Sequence, residues 1–139
     1  MINVAAVIVY LPQLPERIPT HFGVDGEANA WGNRWTIVAL PIISLFAYGL
    51  LTLVGRVPHR FGYGCRVTEE NAPRLYAIVR VMVPLLKAEL AWGMCFVTWG
   101  VIRVGLGEAA GVGTWSLPVF LAVIFATVGV FVVRLWRAT

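Results

Sequence analysis

Residues 21–27 bring His21, Asp25 and Glu27 into one short stretch, close enough in sequence to share chemistry. One imidazole and two carboxylates could hold a divalent cation. A zinc site, however, wants three or four preorganised ligands at ~2.0–2.2 Å, and this spacing is not a helical HExxH pair. The second histidine, His59, falls in a different loop. The expectation is therefore no metal and no other cofactor, with His21, Asp25 and Glu27 as weak metal candidates only. The plainer alternative has His21 hydrogen-bonded within its own loop beside Phe22.

Lys87 and Glu89 are a second pair of interest, because they lie near the start of a long apolar stretch. Ionisable groups inside a membrane are costly and are usually paired or turned toward a cavity. Two positions apart on a helix, they point about 200° from one another and do not pair together. Lys87 can snorkel to headgroups. Glu89 lies deeper and is the stronger functional candidate, expected to meet a basic or hydrogen-bonding group on another helix.

No nucleophile elbow, phosphate-binding glycine motif or CxxC pair is present, so an enzyme is not expected. Cys65 falls in a basic loop and Cys95 in an apolar helix, which predicts two unpaired thiols. The net charge of +4 does not argue for nucleic acid, since the arginines are not gathered with aromatics in a polar domain.

The elements that must position these residues are membrane helices. Of the 139 residues, 59% are hydrophobic and only 13% charged, against about 25% charged in soluble proteins. Thr36–Gly55 carries no charge, and Leu117–Val133 carries none before Arg134. Each can cross a hydrocarbon core of ~30 Å. The predicted fold is all-α: a single membrane domain over residues 1–139, with spans at about 1–11, 36–55, 82–104 and 117–135. The third helical pattern starts earlier, at Arg74, with amphipathic first turns. Met1–Leu11 is short, either a partial helix or, as we favour, the remainder of a span that begins upstream. It lacks the basic n-region and cleavage site of a signal peptide.

Residues 12–35 form a proline-rich outer loop. Pro12, Pro15 and Pro19 fix φ and push their predecessors into extended conformations, which predicts a stiff ribbon without regular structure. Asp25-Gly26 marks a turn. Residues 56–74 form the next loop, and this loop and the C-terminal end hold six arginines: Arg56, Arg60, Arg66, Arg74, Arg134 and Arg137. The outer loop holds two, Arg17 and Arg34, and the glycine-rich 105–116 connection none. The positive-inside rule then puts loop 56–74 and both termini in the cytoplasm, and loops 12–35 and 105–116 outside.

The run Leu14-Pro15-x-x-Ile18-Pro19-x-His21-Phe22, followed by Gly26-Glu27 and Trp31-Gly32-Asn33-Arg34, resembles a bacterial membrane domain of unknown function, number 1648. That domain also forms the N-terminal part of SdpI-type immunity proteins. The likeness covers about residues 8–55. It implies a small multi-pass protein of the bacterial cytoplasmic membrane and, in the SdpI type, protection against a secreted toxic peptide. The chain departs from that type by ending near four spans without the second module. It also carries Asn29 where many members have an acid. The expected function is non-enzymatic: sensing or protecting against an extracellular peptide at the outer loop, with the lipid bilayer and a protein or peptide as partners. The alternatives are an accessory subunit packed against a larger membrane complex and, more weakly, a small transporter using Glu89.

Overall fold

The computed structural model describes residues 2–60, 62–64 and 66–138. The expectation for Cys65 falls outside them, and Cys95 is a free thiol. Four helices follow the hydropathy: α1 (Ile2–Tyr10), α2 (Ala39–Arg56), α3 (Ala72–Gly105) and α4 (Ser116–Arg137). Three are long and apolar enough to cross a membrane, counting the 3-10 turn Arg34–Val38 that leads into α2. The fourth, α1, has 9 residues and rises only about 14 Å, half a bilayer core. The protein is an all-α membrane bundle.

The outer loop corrects the expectation of an irregular ribbon. It folds as an antiparallel hairpin of β1 (Arg17–Phe22) and β2 (Ala28–Asn33), with Arg17 opposite Asn33, Ile18 opposite Gly32 and Pro19 opposite Trp31. Proline is compatible with a strand where its missing N–H would face away from the neighbour. Pro19 sits at such a position, as the ladder phase shows below. The extended bias that the prolines impose therefore serves a strand.

α3 is the axis of the assembly: α1, α2, α4 and β1 all pack on it, whereas α2 and α4 barely touch. It is also longer than the predicted span, reaching back to Ala72. At its start Pro73 occupies the first turn, where no helical donor is lost. Asn71 and Thr68 bond reciprocally just before it, the Thr68 N–H donating to Asn71 Oδ1 at 2.8 Å. At its end Gly107 adopts φ +76°, and the N–H groups of Gly107 and Glu108 return to the Val104 and Arg103 carbonyls at 3.0 and 2.8 Å. That left-handed glycine closes the helix and turns the chain toward α4.

The tightest apolar packing lies where the hairpin meets this end. Ile18, Leu14 and Ile37 are buried with Val7, Val101 and Ile102. Gly105 makes the approach possible: a Cβ there would stand 3.0 Å from Leu14 Cδ2 and 3.2 Å from Ile18 Cγ2. Ile18→Ala should lower stability by about 2–5 kcal/mol, and Gly105→Val should lower it as well by pushing the hairpin off α3. Reversible unfolding in detergent measures both.

Candidate functional site

The motif residues divide into those that hold the hairpin and those that face outward. Arg34 ties the hairpin base together: its N–H donates to the Glu16 carbonyl at 2.9 Å and its guanidinium to the Leu14 carbonyl at 3.2 Å. Gly26 takes φ +79° at the turn, against the backbone of Gly113 in the α3–α4 connection. Its carbonyl accepts the Val112 N–H at 2.8 Å, and Glu27 bridges to Gly111. Both expected outer loops thus lie at one end of the bundle and are stitched together by backbone.

His21 and Asn29 meet across the hairpin, Nδ1 to Oδ1 at 2.6 Å, where the ladder register slips between Pro19 and Phe22. The Asp25 carboxylate accepts the Glu27 N–H at 3.1 Å. His21 is therefore used with Asn29, and the Asp25 carboxylate with the Glu27 backbone, in two separate local contacts. Among the described residues no group of three histidine, cysteine or acidic side chains could hold a metal ion. Pro15, Glu27 and Trp31 are exposed, Phe22 and Gly32 half-buried, and Pro19 buried beside Ile18.

Beneath the hairpin, between α2 and α4 and floored by α3, lies a cavity of about 530 Å³. β1 supplies its roof through Ile18, Pro19 and Phe22. Ile37, Leu40 and Ile43 form one wall, Leu117 and Phe120 the other, and Gly93, Phe96 and Val97 the floor. The lining is almost wholly apolar, with His21, Thr20, Thr36 and Ser116 at the rim end. Gly93 fixes the floor's shape, since the Phe120 ring rests where its side chain would be. A second cavity of about 710 Å³ opens between the same helices at the other end, lined by Leu51, Val54, Met82, Leu86, Val128 and Val132 among others.

Along α3 the polar pair falls between these two cavities. Glu89 turns toward α4, where the Thr127 hydroxyl donates to its Oε1; its Oε2 is buried without a protein partner. Of the two kinds of partner expected, basic or hydrogen-bonding, the structure supplies the second, a hydroxyl on another helix. Lys87 turns the other way, its Nζ 4.2 Å from the centre of the Tyr48 ring on α2, a cation–π contact. The expected divergence of the two side chains holds, and each marks a different helix seam.

Arg103, in the last turn of α3, lies 3.8 Å from Glu108 through its Nε, with both side chains about half exposed. Such a pair contributes little. Gly93, Gly105, Phe120 and Thr127 went unremarked in the sequence. The isolated glycines within an apolar helix were the available signal, because small residues let membrane helices approach closely.

The fold and the site define a small multi-pass membrane protein with a hairpin cap over an apolar cavity. Residues 1–45 match the family model described as a domain of unknown function, DUF1648. That match takes in α1, the hairpin and the first turns of α2, starting and ending somewhat earlier than the motif suggested. A relative in Archaeoglobus fulgidus, described as an uncharacterized protein, is 36% identical over 92 residues, covering 56% of this chain and 49% of its own length. The chain spans about half the length of that relative. No solved structure matches the chain.

The Thr127–Glu89 contact generates a clear expectation. Glu89→Gln keeps an acceptor for the Thr127 hydroxyl and should fold nearly as well as the parent, whereas Glu89→Leu strands that hydroxyl and should cost about 1–2 kcal/mol. Unfolding of both variants in the same detergent decides it; equal stability would remove the contact's structural role.

Proposed function

We propose that the protein is a non-enzymatic membrane protein that senses or protects against an extracytoplasmic peptide, and that the peptide's apolar part lodges in the cavity under the hairpin. The supporting observation is that cavity's construction. The sequence motif that resembles SdpI-type proteins forms its roof through Ile18, Pro19 and Phe22, while Leu14, Gly26 and Arg34 brace the roof on the bundle. A rigid roof lowers the ordering cost of binding. An apolar lining at membrane depth suits a segment that partitions from the bilayer, with His21 and Asn29 at the aqueous edge for its polar end.

The orientation follows the arginines, which favour a cytoplasmic location for the end opposite the hairpin. We accordingly place the protein in the cytoplasmic membrane with the hairpin outside. The accessory-subunit reading draws on a different observation: only 6% of the apolar stretch of α4 is buried within the chain, leaving a long face for another membrane protein.

Two measurements test the proposal. In a background with both cysteines replaced, a cysteine at Ala28 should react with an impermeant thiol reagent added outside intact cells, and one at Thr68 should not; the reverse labelling contradicts the orientation. Cells producing the protein should survive a panel of membrane-active peptides better than cells without it. His21→Ala should lose that protection while accumulating in the membrane at the parental level. Full protection by His21→Ala would make the hairpin a structural lid alone.

A further inference from the structure

The hairpin has only two strands; the α3–α4 connection meets the outer side of β2 at its start, through Gly26 and Glu27, and among the described residues no strand lies beside the stretch from Trp31 to Asn33. In an antiparallel pair, residues alternate between those whose N–H and C=O face the neighbour and those whose groups face away. The Arg34 N–H bonds to the Glu16 carbonyl, which fixes the phase. Ile18 and Gly32 then face one another, while Arg17, Pro19, Trp31 and Asn33 turn their backbone groups outward.

The two edges differ as a result. On β1 the outward position is Pro19, which has no N–H, and this strand packs against α3. On β2 the Trp31 N–H, the Trp31 C=O and the Asn33 N–H point away from the hairpin without a protein partner among the described residues. The Asn33 carbonyl is taken by the Thr36 hydroxyl at 2.8 Å. Asn29, Ala30, Trp31 and Asn33 are all exposed, and β2 contains no proline.

We propose that the β2 edge is a docking site for an extended peptide segment, which adds to the hairpin as a third strand. The occupant follows from the chemistry of the edge. One residue of an incoming strand can exchange both backbone bonds with Trp31, and the Asn33 N–H continues the same phase. Only an extended backbone presents donors and acceptors at that repeat. The exposed Trp31 and Trp35 rings flank the edge and offer apolar cover to alternate side chains of the guest. This deepens the peptide reading and rests on it: the extended part of the peptide pairs with β2 outside the membrane.

The test uses the full chain in detergent or nanodiscs, with a synthetic eight-residue peptide of alternating valine and threonine as the probe. Saturating probe should slow hydrogen exchange of the Trp31 and Asn33 amides about tenfold. A probe N-methylated at every second residue, on the edge that would face β2, should have no effect. Trp31→Pro removes the outward N–H and leaves the inward ladder intact; it should fold and its Asn33 amide should no longer be slowed by the probe, whereas Trp31→Val should respond as the parent does. Asn33→Pro, at a position whose φ is already −63°, with Trp31 amide exchange as the readout, serves if Trp31→Pro does not fold.

Equal response to the N-methylated probe, or an unchanged response in both proline variants, overturns the proposal. So does the absence of any effect in the parent. Trp31 protection that grows with protein concentration and needs no peptide would assign the edge to a second copy and also overturn it. Cellular protection that persists in Trp31→Pro would keep the peptide reading while removing this edge from it.

Discussion

Close approach to α3 is the constraint on which the rest of the molecule depends. Three glycines on that helix each receive a side chain from a different part of the chain. Gly93 receives Phe120 of α4, Gly100 receives Val112 of the connection, and Gly105 receives Leu14 and Ile18 from the hairpin. In a bilayer the lipid tails satisfy apolar side chains as well as protein does, so packing distance decides which contacts win. A side chain at any of the three would hold its visitor away. The cavity's floor at Gly93 and the hairpin's seat at Gly105 are thus set by the absence of side chains.

The hairpin would be marginal alone, as isolated two-stranded ribbons are in water. Here it is fixed from three directions. Ile18 and Leu14 anchor one face on α3, Arg34 closes the base, and the Gly26 carbonyl binds the connection to α4. This bracing places the polar His21–Asn29 contact at the rim of an apolar cavity. It also leaves the Trp31–Asn33 stretch of the β2 edge open. The two charged side chains midway along α3 turn to neighbouring helices, Lys87 to α2 and Glu89 to α4, between the two cavities.

Much of the architecture was legible from residue types. Charge-free runs located α2 and α4, and the prolines with Asp25-Gly26 located the loop and its turn. The hairpin was not legible, because Pro19 argues against a strand unless its partner phase is known, and that phase depends on Arg34 reaching Glu16. The pairing of Glu89 with Thr127 depends on how α3 and α4 slide past one another, which Gly93 and Phe120 set and local sequence does not report. The reach of α3 back to Ala72 was half visible: its amphipathic early turns suggested a helix, yet their arginines shortened the predicted span. Within the motif, the sequence singled out Ile18, His21 and Arg34 together, and the structure separates them into an anchor, a rim group and a clamp.

The central claim is that the cavity under the hairpin receives a peptide from the membrane side. A photo-crosslinking residue at Phe120, which lines that cavity and touches Gly93, tests it directly in cells exposed to membrane-active peptides. After illumination, mass spectrometry of the purified protein should show a peptide adduct at position 120 that competes away with excess peptide. Adducts made only of phospholipid, or of another membrane protein at a fixed ratio, would contradict it.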